Sequence, residues 1–256
     1  MRSLFSHVAI ALLTAILMLF IFSIIQRKES QTTDDIMLNK NIKSNIIEEI
    51  SEQGSQKIEP LYKARKFNFS TIKGFTASQL EQHEKLYQGY VNKRNEIEKA
   101  LQTVNKDEVA ASYAPLRSLK VAETFSLNGA LLHELYFDNL GGTNKDMGPQ
   151  TKALINKNFG SLEAFKKDLL ATAGCARGWV MTGFCLADKS IHNFLLDAHN
   201  ETVPVLTLPI LMVDTYEHAY MIDFGINRAE YLKVLWDNIN WAVVEERIEK
   251  WVNISY

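Results

Sequence analysis

A carboxylate and an imidazole lie four residues apart in the segment Val213-Asp-Thr-Tyr-Glu-His-Ala-Tyr220. At the start of a helix, residues with this spacing lie on one face, so Asp214 and His218 could bind a single ion. The apolar, β-prone run 205–213 comes before them and predicts a buried strand. We therefore expect the pair where a core strand gives way to a helix, which is a rigid place for a metal site.

Two further histidines lie in stretches with helical patterns. His133 lies in the apolar stretch 125–137, and His83 lies in the stretch 79–91, which carries an apolar stripe. By itself, Asp-x-x-x-His arises by chance in many helices as a capping Asp and a partly buried His. Three imidazoles and one carboxylate, however, form a mixed nitrogen and oxygen set that suits iron or manganese, and also zinc. The sequence thus contains a candidate metal-binding set.

Composition excludes several classes of protein. With 256 residues, 46% of them hydrophobic, and a net charge of −2, the chain can bury one or two ordinary domains. There is no basic excess of the kind that nucleic-acid binding requires. Cys175 and Cys185 have neither metal-site nor redox spacing, so we interpret them as ordinary buried thiols.

The amino-terminal region forms a separate element. Residues 8–25 are an uninterrupted apolar run that just reaches the roughly 18 residues of a spanning helix. A secretory signal has a shorter apolar core and a small-residue cleavage site, which residues 22–27 lack. The sequence therefore favours an uncleaved anchor at 1–28, a polar tether at 29–60 and a single-pass membrane-anchored protein. Positive charges alone would keep the remainder cytoplasmic, but a long following domain can be translocated regardless, so no side is assigned.

The remaining chain divides at the glycine-rich break 141–148. Before it, helical patterns at 76–103 and 116–140 predict an antiparallel hairpin, which we assign to a domain at 61–143. After it, two helices, three strand-like runs and closing helices predict an α+β domain at 144–256 with a small antiparallel sheet. The elements of this second domain are predicted at 149–158, 162–173, 178–187, 190–197, 205–213, 216–223, 229–238 and 242–252.

Several motifs occur in the order in which one enzyme family has them. The run 214–220 resembles the Asp-x-Trp-Glu-His-Ala-Tyr signature of iron/manganese superoxide dismutases, with Tyr216 where Trp is usual. Arg177-Gly-Trp179 resembles that family's Ser-Gly-Trp, and the run 231–241 resembles its Tyr-x-x-x-x-Trp-x-x-x-x-Trp ending. The resemblance covers residues 75–251 and implies a two-domain fold with the metal held between the domains.

The resemblance also implies a set of ligands for one iron or manganese ion per subunit: His83, His133, Asp214 and His218. The first of these requires a gap in the alignment. Counted back from Tyr90 without a gap, the ligand position falls on Gln82, whereas one deletion that removes a bulge in the helix restores His83. We favour His83 because glutamine is a poor ligand.

Further roles carry over from the same resemblance. Tyr90 matches the gateway tyrosine of the substrate channel, Trp179 lines the cavity, and His199 falls where members hydrogen-bond the solvent on the metal. The alternative for His199 is a loop histidine in water. Gly129 would leave space for a group that arrives from the second domain, and Arg228 falls where an arginine helps to attract the anion.

The implied reaction converts superoxide to dioxygen and hydrogen peroxide. The implied assembly is a homodimer in which Glu217 reaches the partner's His218. Leu86 and Met221 replace a polar contact across that interface, and Phe137 replaces a cavity tryptophan. These departures motivate an alternative, a catalytically weak or inactive membrane-tethered dismutase-like module for metal binding or dimerisation. A zinc hydrolase is a second alternative, although the sequence has no His-Glu-x-x-His helix.

Overall fold

The computed structural model of the chain describes residues 62–142 and 146–251, which belong to a compact unit at Pro60–Tyr256. In these residues the helices are α1 (Ala77–Thr103), α2 (Pro115–Asp138), α3 (Pro149–Phe159), α4 (Leu162–Cys175), α5 (Met221–Phe224), α6 (Arg228–Asp237) and α7 (Trp241–Trp251), the strands are β1 (Trp179–Cys185), β2 (Ser190–Leu196) and β3 (Thr207–Asp214), and a 3₁₀ helix spans Glu217–Ala219. The prediction of an α+β fold with a small antiparallel sheet is confirmed. The proposed domain boundaries at 61–143 and 144–256 stay a prediction.

Helices α1 and α2 pack against each other as the predicted hairpin. The Thr76 hydroxyl caps α1 by accepting a hydrogen bond from the Gln79 backbone N–H at 3.2 Å, and Pro115 occupies the first turn of α2. His83 and Tyr87 share the buried face of α1, and His133 lies on the buried face of α2. Both helices therefore direct an imidazole into the interior.

The sheet places a carboxylate beside a tryptophan. Its strand order is β2-β1-β3, and both pairings are antiparallel. Trp179, the first residue of β1, is paired with Leu196 on one side and with Asp214 on the other. One end of the sheet thus presents Trp179 and Asp214 side by side.

Side chains pair with several backbone groups on the open edge of β3. Asn139 donates from Nδ2 to the Met212 carbonyl oxygen at 3.1 Å and accepts the Met212 N–H at Oδ1 at 2.8 Å. Arg247 donates to the Ile210 carbonyl oxygen at 2.9 Å, and the Tyr231 hydroxyl donates to the Asp214 carbonyl oxygen at 2.6 Å. An unpaired strand edge leaves backbone groups without partners. Here these bonds hold the strand that ends in Asp214.

The prediction of a single-pass membrane-anchored protein is corrected by the structure. Across 62–142 and 146–251, no helix is both long enough and apolar enough to cross a bilayer. The longest of these helices, α1, carries charged side chains such as Lys93 and Glu96 on its exposed face. The predicted anchor at 8–25 and tether at 29–60 lie outside the described residues.

The interpretation of the cysteines as buried thiols is also wrong. Cys175 is exposed and Cys185 is half-buried. Cys175 is the last residue of α4 and Cys185 the last residue of β1. Both lie at the ends of elements, where apolar patterning does not determine burial.

The amino-terminus of α3 is capped by a distant carboxylate. Glu245 on α7 accepts the Gln150 N–H at 2.9 Å and the Thr151 N–H at 2.8 Å. Gly148, the residue before α3, makes no side-chain cap, and a Cβ there would clash with the Glu245 carboxylate. Burial raises the pKa of Glu245, but the hydrogen bonds from Thr151 and Gln150 outweigh it, so the pKa is lowered overall.

We expect Glu245→Gln to lower the free energy of unfolding of the metal-free protein by about 1–2 kcal/mol at pH 7, because it removes a charge from a helix amino-terminus. Since the pKa of Glu245 is lowered in the folded state, its contribution is present above the ordinary pKa and is lost as the pH falls through the folded pKa. Urea unfolding should therefore show that the free energies of unfolding of wild type and Glu245→Gln become equal in acid. The neighbouring exposed Glu246 gives the control, Glu246→Gln, with about 0.5 kcal/mol or less expected at either pH. A gap between Glu245→Gln and wild type that persists in acid would contradict this account.

Candidate metal centre

Three imidazole nitrogens converge on one carboxylate oxygen. The Nε2 atoms of His83 and His218 each lie 3.1 Å from Asp214 Oδ2, and His133 Nε2 lies 3.7 Å from it. One ligand atom from each of the four residues lies within 4.8 Å of all the others. Ligand distances of about 2.0–2.2 Å put donor atoms within ~4.4 Å of one another around a single ion. The arrangement is close to a coordination sphere.

Four different elements supply these groups. His83 comes from α1, His133 from α2, Asp214 from the end of β3 and His218 from the 3₁₀ helix. The expectation that Asp214 and His218 share one helical face is wrong, since Asp214 still belongs to the strand. Its Oδ1 atom accepts the Tyr216 N–H at 2.9 Å, and this Asx-type turn directs the chain back toward Oδ2.

His133 has a defined tautomer. Its Nδ1 atom lies 2.5 Å from the Gly129 carbonyl oxygen, which can only accept, so Nδ1 carries the proton. The lone pair is then on Nε2, which is buried and has no hydrogen-bond partner in the described part of the chain. A buried polar atom without a partner calls for an explanation. A lone pair that points into a cluster of two imidazoles and a carboxylate fits a metal ligand, whose other nitrogen is commonly held by a carbonyl.

The electrostatics of the cluster favour cation binding. Burial lowers the pKa of His83 and of His133, so both rings are neutral at neutral pH. Burial opposes ionisation of Asp214, but His218 and His83 outweigh it and hold the pKa of the carboxyl far below its ordinary value. Neutral imidazoles and an ionised carboxylate are the protonation states that metal binding requires.

His83, not Gln82, enters the cluster. Gln82 is exposed and donates from Nε2 to Ser78 Oγ at 3.0 Å on the outside of α1. His83 is 1% exposed. Helix α1 continues without interruption through this region, as the deletion of a helical bulge would require.

A second group of predicted residues surrounds His133. Trp179 Nε1 donates to His199 Nδ1 at 2.9 Å, so His199 carries its proton on Nε2. That atom is buried and lacks a partner among the described residues. The ring of Tyr90 lies 4.7 Å from that of His199 and 5.2 Å from that of His133. His199 is fully buried, and the alternative of a loop histidine in water is therefore wrong.

Burial also shifts the pKa values of His199 and Tyr90. It lowers the pKa of His199 to about 4 and raises the pKa of Tyr90 to about 12. At neutral pH the imidazole is therefore neutral and the phenol is protonated. Each group can donate one hydrogen bond, from His199 Nε2 and from Tyr90 Oη.

Gly129 makes room for Tyr90. A Cβ at this position would lie 2.6 Å from Tyr90 Cδ1. The neighbouring ring comes from α1, and the expected role, space for a group from the second domain, stays a prediction. Gly129 has a second function, since its carbonyl oxygen sets the tautomer of His133.

Sequence reasoning missed a residue that links two of the elements. Gln79 is 1% exposed and donates from Nε2 to the His218 carbonyl oxygen at 2.7 Å. Its Oε1 atom accepts the Ile222 N–H at 3.1 Å. The only signal in the sequence is its place one turn before His83 on the buried face of α1. It fixes the backbone of the 3₁₀ helix relative to α1.

We expect Gln79→Leu to accelerate manganese loss about 10-fold, because the backbone of His218 loses its anchor to α1 and outer-shell changes of this kind weaken metal binding. Release of manganese to excess EDTA measures the rate. Gln82→Leu is the matched control, since it makes the same substitution three residues away on the exposed face. Equal rates for the two variants would exclude this role for Gln79.

The departures from the family pattern fall into two environments. Leu86 and Met221 are exposed, at 36% and 41%. Phe137 is buried, and its ring centroid lies 4.9 Å from that of His83. Arg228 donates from Nη1 to the Ala176 carbonyl oxygen at 2.8 Å and lines a surface cavity that also borders His218.

Comparison with known proteins agrees with this geometry. Residues 147–247 match the family model for the C-terminal domain of iron/manganese superoxide dismutases. A superoxide dismutase [Fe] of Aquifex aeolicus is 37% identical over 202 residues, which cover 77% of this chain and 93% of the relative. The superoxide dismutase [Fe] of Pyrobaculum aerophilum is 30% identical over 195 residues, covering 73% and 90%. Superoxide dismutase [Mn] 1 of Haloferax volcanii is 29% identical over 174 residues, covering 67% and 85%.

These relatives align with most of the described chain, and the four converging side chains supply the nitrogen and oxygen donors that suit iron or manganese. The chain belongs to the iron/manganese superoxide dismutase family.

Proposed function

We propose that this protein is a superoxide dismutase that converts superoxide to dioxygen and hydrogen peroxide, with one iron or manganese ion held by His83, His133, Asp214 and His218. The observation that carries the proposal is the convergence of three Nε2 atoms on Asp214 Oδ2, with the Nε2 lone pair of His133 buried and without a partner among the described residues. Membership of the family supplies the reaction.

The ion, when bound, supplies a one-electron couple through which one superoxide is oxidised to dioxygen and another, with two protons, is reduced to hydrogen peroxide. The chain provides three imidazoles and one carboxylate charge to hold it. Burial of His83, His133 and Asp214 keeps bulk water away from these ligands. Because nitrogen and oxygen donors of this kind suit both metals, and relatives carry both names, the proposal includes iron and manganese.

We further propose Tyr90, His199 and Trp179, whose rings lie beside that of His133, as the catalytic residues. Burial raises the pKa of Tyr90 to about 12, so its Oη stays protonated at neutral pH. His199 presents a buried Nε2–H without a partner in the described chain. Both donors lie beside His133. Trp179 fixes the tautomer and the orientation of His199 through its 2.9 Å hydrogen bond. These are suitable positions from which to deliver the protons that peroxide formation requires.

We also propose that the protein forms a homodimer through Glu217 and His218. Glu217 is exposed, and 27% of the His218 side chain is exposed, whereas the other three ligand side chains are almost fully buried. Leu86 and Met221 add exposed apolar surface. A second copy that covers this face would complete the burial of the fourth ligand. Sedimentation of wild type and Glu217→Ala tests the assembly, and a monomeric wild type would refute it.

Elemental analysis of the purified protein together with superoxide turnover tests the proposed activity. We expect close to one iron or manganese ion per chain and turnover that depends on it. Bound zinc without dismutation would favour a hydrolase instead. A wild type that binds no metal would favour the inactive dimerisation module.

A further inference from the structure

An irregular segment at residues 62–72 precedes α1 and contacts both helices of the hairpin; we call it the brace. It has neither helix nor strand. Tyr62, Phe67, Phe69 and Ile72 are partly buried and pack against the core. Its contacts end on two side chains of α2 that are neighbours of the proposed ligands.

The first contact is aromatic and leads to His83. The ring centroids of Phe67 and Phe69 lie 4.9 Å and 5.4 Å from that of Phe137. Phe137 is 3% exposed, and its ring also lies 4.9 Å from that of His83 at an interplanar angle of 69°. Phe137 is thus held between the brace and a ligand ring. Because protein interiors are close-packed, a change in the brace that frees Phe137 also frees one face of His83.

The second contact is polar and leads to the residue that follows His133. Glu134 Oε1 accepts hydrogen bonds from the Tyr62 hydroxyl at 2.8 Å and from the Tyr87 hydroxyl at 2.7 Å. The backbone N–H of Arg65 donates to Tyr87 Oη at 2.8 Å. Tyr87 belongs to α1 and Glu134 to α2. One carboxylate oxygen therefore ties the brace to both helices that carry imidazole ligands.

A bidentate ion pair fixes the direction of the brace. Arg65 donates to Asp138 through Nη1 at 2.9 Å and through Nη2 at 2.7 Å. Asp138 lies one turn beyond Glu134, so the guanidinium runs along α2. The pair is partly exposed and therefore contributes little to stability. The two parallel hydrogen bonds of the planar guanidinium instead fix the orientation of Arg65, and with it that of the brace, relative to α2.

From these contacts we propose that the brace is a positioning element, which acts through Phe137 and Glu134 to orient His83 and His133 for the iron or manganese ion. The proposal rests on the proposed ligand set. Partners one layer beyond the ligands determine ring orientation and typically change metal affinity 10- to 100-fold when removed. A substitution that loosens the brace should therefore accelerate metal release, while its effect on Tm should be no larger than that of a similar substitution elsewhere in the core.

The test compares two Phe→Leu variants of the full chain loaded with Mn²⁺. Phe67→Leu removes a brace ring. Phe159→Leu removes a partly buried ring that packs on Phe165, 5.1 Å away and outside the hairpin. We expect a similar decrease in Tm for both variants. Only Phe67→Leu should release Mn²⁺ to EDTA at least about 5-fold faster than wild type and change the absorption spectrum of the oxidised manganese protein.

A second variant tests the polar contact and covers the case in which Phe67→Leu does not fold. Tyr62→Phe removes one hydroxyl donor and keeps the ring, which lies 3.9 Å from the Arg94 guanidinium. We expect it to accelerate Mn²⁺ release, whereas a release rate and spectrum like those of wild type would overturn the proposal. A wild type that binds no Mn²⁺ and no iron would overturn the proposed ligand set itself, before any variant is compared.

Discussion

Asp214→Asn should remove most of the metal and lower superoxide turnover at least about 100-fold. Asp214 Oδ2 is the atom on which His83, His133 and His218 converge. The substitution keeps the shape of the side chain and the acceptor for the Tyr216 N–H. It removes the charge that offsets that of the ion, and an amide is a weaker ligand than a carboxylate. Loss of a directly coordinating group should exceed the 10- to 100-fold effects of outer partners.

Metal content, superoxide turnover and circular dichroism on the same sample measure this effect. We expect the spectrum of the fold to stay that of wild type, because the amide keeps the shape of the side chain and the acceptor for the Tyr216 N–H. Retention of both metal and turnover would show that Asp214 is not a ligand. Loss of the folded spectrum would instead assign the residue a structural role.

A surface pair with the same spacing provides the matched control. His192 Nε2 lies 2.8 Å from Asp188 Oδ2, again with Asp four residues before His. Both side chains are exposed, at 43% and 51%. Asp188→Asn should leave metal content and turnover unchanged, because no other imidazole completes a site there among the described residues.

The two Asp-x-x-x-His pairs also show what sequence patterns can and cannot predict. The spacing is the same in both, yet Asp214 ends a buried strand and Asp188 lies in a turn between β1 and β2. An apolar run precedes each pair, 178–187 before Asp188 and 205–213 before Asp214, so the sequence pattern alone does not distinguish the candidate ligand from the surface pair. Whether His192 bonds to Asp188 depends on how that turn folds, which the spacing does not state.

Long periodic segments predicted the fold well, since their patterns extend over many residues. The bounds of α1, α2 and the strands agree with prediction to within a few residues. The short region after β3 did not follow its predicted helix at 216–223, because Asp214 turns the chain and only a 3₁₀ helix and a four-residue helix form. Elements of three or four residues are too short for their periodicity to show where one ends and the next begins.

Sequence patterns could not predict the histidine tautomers or the packing partners. The proton positions of His133 and His199 follow from the Gly129 carbonyl and from Trp179 Nε1, which are set only by the folded geometry. The role of Gln79 likewise depends on a contact between residues 139 positions apart in the chain. Such contacts link elements whose relative placement the sequence does not state.

Asn139→Leu should lower the free energy of unfolding by about 3 kcal/mol or more. Asn139 is fully buried and satisfies both the N–H and the carbonyl of Met212 on the open edge of β3. It also accepts a hydrogen bond from Arg247 Nη1 at 3.3 Å. Leucine fills similar space but leaves two buried backbone groups without partners, each at about 1–3 kcal/mol. Urea unfolding of the metal-free protein at pH 7 measures the change.

Asn158→Leu is the matched control, since Asn158 makes a single bond from Nδ2 to the Leu154 carbonyl oxygen at 2.7 Å in a half-buried position. We expect a loss of about 1 kcal/mol or less for it. Similar losses for the two variants would mean that water replaces Asn139 at the strand edge.

If Asn139→Leu loses about 3 kcal/mol or more, its metal binding should weaken as well, because β3 ends in Asp214 and the same edge holds that residue in place. The stability of the sheet edge and the affinity of the metal site would then be coupled through one strand.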